Sequence, residues 1–247
     1  MPLVTVVVAA LNCADTIARC IDSVVSQDLH PELIVIDGGS SDETLQFLNC
    51  MRHQIDHFVS EPDRGIYDAW NKALGIAKGQ WVCFLGADDH FADTTSLRKL
   101  CLRADSGAFN FISGRAAWIN RNDEVVRIVG EPWNWARMKR YQVIAHVGAL
   151  HHRTLFQQYG KFDERFRIAG DYDFLLRAGP GIRADFVNEI VVCTGIYGKS
   201  LTSVSRALSE ARQIQMLHPE IGRGKANVNF LLAHAKRGIR QVASWFR

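Results

Sequence analysis

The stretch WVCFLGADD, residues 81–89, decides the fold of this chain of 247 residues. It opens with an apolar run, as in a strand covered on both faces of a sheet, and then stops at Asp88 and Asp89. Two adjacent carboxylates repel each other unless a cation or hydrogen-bond donors compensate them. We therefore expect a buried strand that ends at a ligand-binding edge of the sheet. The alternative is that Asp88 caps the next helix and Asp89 is solvated.

The segments that precede this stretch alternate between strand and helix patterns. Residues 4–10 and 33–36 are apolar runs typical of buried strands, and 57–60 is a shorter one. Apolar residues recur at helical spacing over 17–25 and again between 66 and 77. This alternation predicts an α/β fold with a doubly wound, mostly parallel sheet.

The second half of the chain has a mixed pattern. We expect a strand over 109–113 and then a hairpin, whose two strands cover 115–119 and 124–129. The remaining predicted elements are helices near 94–104, 153–159 and 171–178, a last strand over 187–194, and tail helices near 203–217 and 226–246.

Composition places the chain among ordinary globular proteins. Apolar residues make up 47%, charged residues 22%, and the net charge of +3 does not argue for nucleic-acid binding. None of the six cysteines forms a C-x-x-C pair, which favours a reducing compartment. The first apolar run is a poor signal peptide and no run is long enough to span a bilayer, so we expect a cytoplasmic protein.

Polar residues follow three of the predicted strands. Asn12, Asp37 and the Asp88–Asp89 pair each stand where a strand stops. Because open parallel sheets bind ligands at the carboxyl ends of their strands, we expect these groups to share one site. Asp37 suits a hydrogen bond to a nucleobase or ribose, with a turn-forming role beside the following glycines as the alternative. A divalent metal would compensate the aspartate pair and neutralise a diphosphate.

Two motifs that would indicate other nucleotide enzymes are missing from the sequence. There is no G-x-x-x-x-G-K-S/T loop and no G-x-G-x-x-G fingerprint. Their absence argues against a P-loop NTPase and against a dinucleotide-binding enzyme.

The dense polar stretch over 61–71 opens a predicted helix. Arg64 lies near the amino end of that helix, where the dipole disfavours a cation. This placement favours a contact between Arg64 and an anion or a base.

A second acidic group lies far downstream, at Asp171 and Asp173. Residues at i and i+2 of a helix point in different directions, so only one of the two should face a site. A helix start capped by Asp171 is the alternative. His146, Tyr172 and Asp173 are candidates for contact with an acceptor or a phosphate, although a lone histidine among apolar residues is more often structural.

In their order and spacing, these stretches resemble the family 2 glycosyltransferases with the GT-A fold, in the branch that builds bacterial surface polysaccharides. The resemblance covers roughly residues 3–205. The matching stretches are 4–12, 35–42, 61–71, 84–89 and 162–173.

The resemblance implies a division of the chain. Residues 1–205 would form the GT-A domain, with a nucleotide-sugar half over 1–105 and an acceptor half over 106–205. Residues 206–247 would form a C-terminal helical tail.

The resemblance also implies roles for individual residues. Asp37 looks like the nucleoside-binding aspartate, and the backbone of Ala9 to Leu11 would line the base pocket. Asp88 matches the last aspartate of the D-x-D metal motif, with Asp89 as its neighbour. Asp171 matches the general base. The implied nucleotide-sugar contacts are Ala9, Leu11, Asn12, Asp37, Arg64, Asn71 and Asp88.

Three positions depart from the family pattern. Gly86 stands where the first D-x-D aspartate is usual, so that metal binding would rest on Asp88. Trp70 stands where an arginine often precedes the asparagine matching Asn71, and Arg64 is a candidate substitute. Gly170 replaces the usual glutamate before the base.

By this resemblance the protein is an inverting glycosyltransferase that uses Mg²⁺ or Mn²⁺ and a nucleotide-sugar donor, with UDP favoured over GDP and dTDP. The acceptor would be a glycan or a polyprenyl-linked sugar. One alternative is a catalytically silent sugar-nucleotide-binding protein. Another is a sugar-1-phosphate nucleotidyltransferase, which should carry a Gly-rich loop that Asn12–Arg19 lacks.

The tail has a basic and an apolar face. Leu231, Ala235, Ile239, Val242 and Phe246 share one side of the last predicted helix, and no acidic residue follows Glu220. Such a helix can lie on an anionic membrane surface, which predicts peripheral contact at the inner face of the membrane. Packing on the catalytic domain or on a second subunit is the alternative.

Overall fold

A single nine-stranded sheet organises the part of the chain that the computed structural model describes, residues 4–196 and 203–244 with side chains to Ala235. The strand order is β3-β2-β1-β4-β8-β6-β9-β5, and β7 pairs with β6. The strands are β1 Val4–Ala10, β2 Glu32–Asp37, β3 His57–Ser60, β4 Trp81–Gly86, β5 Asp89–Phe91, β6 Phe111–Ile119, β7 Val125–Val129, β8 Leu150–His152 and β9 Ala184–Gly195.

Helices cover both faces of this sheet. Two further 3₁₀ turns cover Arg52–Gln54 and Gly179–Gly181. The helices are α1 Ile17–Val25, α2 Thr44–Cys50, α3 Ile66–Ile76, α4 Ser96–Ala104, α5 Trp135–Met138, α6 Arg153–Tyr159, α7 Gly170–Ala178, α8 Val204–Leu217 and α9 Gly222–Ser244.

The first four strands form the parallel half that the sequence predicts. β1 pairs in parallel with β2 on one side and with β4 on the other, and β2 pairs in parallel with β3. Ala10 lies opposite Asp37, and Ala9 lies opposite Gly86. The carboxyl ends of three strands therefore meet at one edge, which confirms the α/β fold and the common position of the strand-end residues.

Beyond β4 the sheet becomes mixed. β8 pairs antiparallel with both β4 and β6, while β6 pairs in parallel with β9. The two strands expected at 109–113 and 115–119 form one strand, β6. The predicted elements did not include β5 or β8, because three residues are too few to carry a periodic pattern.

Two hydrophobic cores lie on opposite faces of the sheet. Val6 and Val8 of β1 pack into one, with α1 and α4, whereas Val7 packs into the other, with α3 and α7. Because successive strand residues point to opposite faces, an unbroken apolar strand is what a sheet covered on both sides requires.

Helix α8, in the predicted tail, shares a hydrophobic core with α7. Ile214 is 2% exposed and belongs to the same core as Phe174 and Leu175 of α7. Gln215 donates to the hydroxyl of Tyr172 at 2.9 Å. Residues on the two sides of the predicted division at residue 206 therefore pack closely against each other.

Helix α9 is the last element of the fold. Across residues 4–196 and 203–244, no helix combines the length and the apolar character that crossing a bilayer requires. The side chains of Ile239, Val242 and Phe246, which we placed on the apolar face of the tail, lie outside the described residues.

Candidate active site

A cleft of about 1700 Å³ opens along the carboxyl edge of the strands and continues to α8 and α9. It collects most, but not all, of the residues that the sequence singled out. Those that line it are Ala9, Leu11, Asn12, Arg64, Asp88, Asp89, His146, Asp171 and Tyr172. Asp37, Asn71 and Asp173 are outside its lining.

Asn12 shapes the end of the cleft that follows β1. Its backbone has a φ of 50°, a left-handed conformation that asparagine tolerates better than most residues. The Asn12 Oδ1 accepts the backbone amide of Ser41 at 2.8 Å, and the backbone amide of Asn12 donates to the Ser40 hydroxyl at 2.9 Å. Asn12 thus links the loops that follow β1 and β2.

The Asp37 carboxylate stabilises the loop after β2 by accepting hydrogen bonds from it. This carboxylate is fully buried and accepts the amides of Gly39 and Ser40, each at 3.1 Å, and the hydroxyl of Ser60 at 2.7 Å. The Ser40 hydroxyl donates to it as well. Both oxygens are therefore engaged within the protein. The nucleoside contact stays a prediction, and in this geometry Asp37 shapes the pocket wall rather than lining it.

Asp63 lies where Asp37 was expected to act. Its carboxylate covers Gly38, so close that a side chain at Gly38 would collide with it. Asp63 lines the cleft and accepts the amide of Gly65 at 2.8 Å. The packing of the 61–65 loop over the end of β2 brings this aspartate to the site.

Asp88 and Asp89 flank Gly86 at the end of β4. A Cβ built on Gly86 would lie 2.8 Å from Asp88 Oδ1 and 3.1 Å from Asp89 Oδ2. Asp89 is 3% exposed, and burial together with the charge of Asp88 raises its pKa to about 7. Among the residues that the structure describes, its Oδ1 has no hydrogen-bond partner.

This arrangement fits a divalent cation. Oxygen ligands from adjacent carboxylates are what Mg²⁺ and Mn²⁺ bind, and a cation would favour the charged form of a buried acid that otherwise resists ionisation. Within residues 4–196 and 203–235, no cluster of three potential metal-ligating side chains is present. Among these residues, Asp88 and Asp89 are the carboxylates placed to hold the cation, whereas from the glycine at position 86 we expected metal binding to rest on Asp88.

Asp171 is a half-buried carboxylate at the first turn of α7, and it lines the cleft. Its Oδ2 accepts the side-chain amide of Gln142 at 2.7 Å, and its Oδ1 lies 3.1 Å from the Tyr67 hydroxyl. Burial raises the pKa of Asp171 above the usual range, against the lowering effect of these hydrogen bonds. A carboxylate with a raised pKa, oriented by two neighbours, has the properties of a general base.

Tyr67 explains one departure from the family pattern. The Tyr67 ring packs on the Cα of Gly170, where a Cβ would lie 2.7 Å from the ring atom Cε2. The Tyr67 hydroxyl also donates to the carbonyl of Ile168 at 2.6 Å. A glutamate at position 170 is incompatible with this ring, so the glycine and the tyrosine form a matched pair beside Asp171.

Arg64 lines the cleft but already has acidic partners. Its Nη2 lies 2.5 Å from Glu164 Oε2 and 3.4 Å from Asp68 Oδ1. The guanidinium is 73% exposed, so its contact with a donor phosphate or base stays a prediction and would require exchange of these partners.

Asn71 and Asp173 serve other contacts than those the sequence suggested. Asn71 donates to the Phe162 carbonyl at 2.9 Å and accepts the Phe162 amide at 3.0 Å, which ties α3 to the loop before α7. Asp173 accepts from Arg177 at 2.8 Å on the same helix. Neither residue lines the cleft, so their predicted roles would have to be indirect.

His146 and Tyr172 lie at the floor of the cleft. His146 is stacked on Trp70, and burial lowers its pKa to about 3, so the ring is neutral at physiological pH and cannot bind phosphate as a cation. Tyr172 donates to the Met138 carbonyl at 2.6 Å, and its hydroxyl accepts from Gln215. Both residues are held within the protein, and contact with the acceptor stays a prediction.

The cleft also contains residues that sequence reasoning missed. Gln142 lies in a loop without periodicity, and Arg206 and Phe230 come from the predicted tail. No local pattern identifies such residues, because they reach the cleft through tertiary packing.

Comparison with known proteins gives the family. The profile described as "Glycosyl transferase family 2" matches residues 5–165. This match confirms the resemblance drawn from the motifs and removes the nucleotidyltransferase alternative.

Two relatives illustrate the range of similar sequences. A protein of Mycobacterium bovis named "PGL/p-HBAD biosynthesis glycosyltransferase" is 27% identical over 208 residues, which cover 80% of this chain and 78% of the relative. An uncharacterized glycosyltransferase of Mycobacterium tuberculosis is 30% identical over 188 residues, covering 72% and 69%.

Solved structures confirm the GT-A type of fold. S. aureus TarS in complex with UDP-GlcNAc matches with a TM-score of 0.70 at 17% identity, covering 92% of this chain and 70% of that one. The mannosyltransferase PcManGT from Pyrobaculum calidifontis, in complex with GDP-Man and Mn²⁺, matches with a TM-score of 0.66 at 19% identity, covering 99% and 80%.

Proposed function

Since this chain belongs to glycosyl transferase family 2 and is a glycosyltransferase, we propose that it transfers a sugar, with inversion, from a UDP-sugar to an acceptor hydroxyl in cell-surface glycan synthesis. The observation that carries this proposal is Asp171, a half-buried carboxylate oriented by Gln142 and Tyr67 at the cleft. The acceptor would be a lipid-linked sugar or a growing polysaccharide.

Asp171 would act as the base in a single displacement. The acceptor hydroxyl attacks the anomeric carbon, its proton passes to a carboxylate oxygen of Asp171, and the bond from the anomeric carbon to the nucleoside diphosphate breaks. Because the base must be ionised and burial raises its pKa, activity should fall as the pH drops through that raised value.

The choice of donor rests on the relatives. TarS is in complex with UDP-GlcNAc, while PcManGT is in complex with GDP-Man. The M. bovis relative is named for PGL/p-HBAD biosynthesis, and a Pasteurella multocida relative is a hyaluronan synthase. The names of the relatives support surface glycans as the product class, and the TarS complexes with UDP-GlcNAc and with UDP support UDP as the donor nucleotide.

Asp88 and Asp89 would hold Mg²⁺ or Mn²⁺ at the end of β4. Bound there, the cation would neutralise the charge that develops on the diphosphate leaving group. Asp88→Asn should lower transfer at least tenfold and weaken the response to added Mn²⁺, as measured by nucleoside diphosphate release over a metal titration. Equal metal response in the variant and the wild type would contradict this assignment.

A donor screen tests the function itself. UDP-, GDP- and dTDP-sugars are offered with Mn²⁺ and an acceptor-lipid extract, and release of nucleoside diphosphate is measured. Asp171→Asn should reduce release by about a hundredfold or more, within the range of 10²–10⁴ expected for a general base. Asp22→Asn, on an exposed face of α1, is the matched control and should retain full activity.

The silent binding protein is the second candidate, favoured by Gly86 in place of an aspartate. It predicts tight donor binding, no release in any mixture and no effect of Asp171→Asn. Release of diphosphate that depends on Asp171 would exclude it.

The last helix supports peripheral contact with an anionic membrane. Val228, Leu231 and Leu232 lie on one side of α9 and are 55%, 67% and 56% exposed. After Glu220 the sequence has six basic residues and no acidic one. This combination of apolar surface and positive charge suits anionic lipid.

Sedimentation with vesicles tests this contact. Wild-type protein should bind vesicles containing phosphatidylglycerol, and the double variant Leu231→Glu with Leu232→Glu should lose binding while retaining its fold. Equal binding of the two proteins, or equal binding to neutral vesicles, would contradict the proposed contact.

A further inference from the structure

Glu210 is a buried acidic side chain that does not line the cleft. It lies on α8, in the segment that the sequence suggested is a tail, and is only 6% exposed. A buried carboxylate is costly unless hydrogen bonds compensate it, so its partners indicate its purpose.

Those partners are three successive backbone amides directly before α7. The Glu210 carboxylate accepts the amides of Arg167 at 3.0 Å, Ile168 at 2.8 Å and Ala169 at 3.0 Å. It also accepts from Arg206 Nε at 2.9 Å. Burial opposes ionisation of Glu210, but these donors outweigh it, so its pKa lies below the usual range and the group is charged at neutral pH.

The amides that Glu210 binds belong to the segment that carries Asp171. Ala169 is the residue before α7, and Asp171 lies in the first turn of that helix. A negative charge at this position also interacts favourably with the positive end of the α7 dipole. The contact therefore fixes both the position and the direction of the start of α7.

The same short segment is held from the opposite side by α3. The Tyr67 hydroxyl donates to the carbonyl of Ile168, while Glu210 accepts the amide of that same residue. The Arg167 side chain packs against Gly65. The loop before the base is thus clamped between α3 and α8, and α8 supplies the only carboxylate that accepts its amides among the described residues.

We propose that Glu210 is a positioning residue of the active site: it holds Arg167–Ala169 so that Asp171 meets Gln142 and Tyr67. The proposal rests on the proposed function, in which Asp171 is the base. It assigns α8 a part in catalysis, although its carboxylate touches neither substrate nor reacting atoms.

The test compares Glu210→Ala and Glu210→Gln with the control Glu220→Gln. Glu220 also carries a carboxylate in the C-terminal segment, but it is exposed and pairs with Lys139. For each variant, kcat, KM, the affinity for UDP in the presence of Mn²⁺, the pH profile and amide hydrogen exchange are measured.

The expected result is a split between chemistry and donor binding. Since displacement of a reacting group by about 1 Å can cost a hundredfold in rate, kcat of Glu210→Ala should fall about 10- to 100-fold. UDP affinity should stay within about twofold, because the donor end of the cleft is formed by other elements. Glu210→Gln, which keeps one acceptor oxygen, should be intermediate, and Glu220→Gln should match the wild type.

Two further readouts separate positioning from a general loss of stability. Weaker contacts from Gln142 and Tyr67 should move the acidic limb of the pH profile of kcat to higher pH. Exchange at the amides of Arg167, Ile168 and Ala169 should accelerate in the Glu210 variants before the rest of the chain responds. If Glu210→Ala does not fold, the comparison of Glu210→Gln with Glu220→Gln decides.

The proposal is overturned if kcat of the folded Glu210 variants stays within twofold of the wild type. It is equally overturned if exchange at the three amides is unchanged, or if kcat and UDP affinity fall together. Failure of the proposed function is a different result. Transfer would then survive Asp171→Asn, whereas faster exchange in the Glu210 variants would still show that the clamp exists.

Discussion

Replacement of Gly170 by alanine tests whether the glycine before the base is required by the Tyr67 ring. A Cβ at this position would lie 2.7, 2.8 and 2.9 Å from three atoms of that ring. Real Cβ atoms are essentially never found this close to another atom, so the ring must move by several tenths of an ångström. Tyr67 is 3% exposed and packs against Trp70 and Phe162, which leaves little room for that movement.

The energetic cost follows from overpacking of a buried site. Insertion of a methyl group into a packed core costs about 1–3 kcal/mol. For a protein of this size, thermal unfolding should shift down by roughly 2–12 °C, since 1 kcal/mol corresponds to about 2–4 °C. Movement of the Tyr67 hydroxyl away from Asp171 should also reduce kcat, by about 10-fold or more.

The assay is thermal unfolding by circular dichroism, combined with kcat from nucleoside diphosphate release. Gly75→Ala is the matched control, because Gly75 lies in α3 with no atom near its added Cβ. Alanine is the better helix former there, so the control should be stabilised by about 0.5–1 kcal/mol.

A double-mutant cycle identifies the source of the cost. In a Tyr67→Leu background the ring is absent, so Gly170→Ala should cost almost nothing in unfolding free energy. The reasoning is refuted if Gly170→Ala leaves both the unfolding temperature and kcat unchanged, or if its cost is the same in the Tyr67→Leu background.

Two further predictions concern hydrogen bonds near the site. Gln142→Leu removes the amide that donates to Asp171 Oδ2, so the pKa of Asp171 should rise further and the acidic limb of the kcat profile should move to higher pH. The profile is measured over about pH 5–9, and an acidic limb that does not move would contradict a role for Asp171 as base. Asn71→Ala leaves the Phe162 backbone without its partners, which should lower the free energy of unfolding by about 2–4 kcal/mol, as measured with denaturant. The folded fraction should keep its affinity for the donor. A tenfold loss of that affinity would instead support a direct contact between Asn71 and the donor.

The fold of the first half of the chain could be predicted well from the sequence. The patterns over 4–10, 17–25 and 66–77 are long, and each matches one element of the structure closely. In a long segment the burial pattern can be recognised from the sequence, because every second residue of a strand, or every third to fourth residue of a helix, must face a core. The mixed pairing beyond β4 could not be predicted, since β8 has only three residues and takes its place from its partners.

The site was predictable at the level of strand ends, and much less so at the level of contacts. That Asp88 and Asp171 face the cleft follows from motif and topology. That Ser40 and Ser60 occupy the oxygens of Asp37 depends on how two loops approach each other. Glu210 lies about 40 residues along the chain from the amides it binds, and no local sequence pattern predicts a contact between residues so far apart.

The insertion of β8 between β4 and β6 has a consequence for synthesis of the chain on the ribosome. β1 to β4 can pair as soon as they have emerged, but the outer edge of β4 stays open until Leu150 is available. About 60 residues separate Gly86 from Leu150, which at typical elongation rates of about 5–20 residues per second is roughly 3–12 s. During that interval the nascent half-sheet exposes an apolar strand edge that can pair with another chain. Chaperone capture of the nascent chain should therefore peak in this window and end once residue 152 has left the exit tunnel.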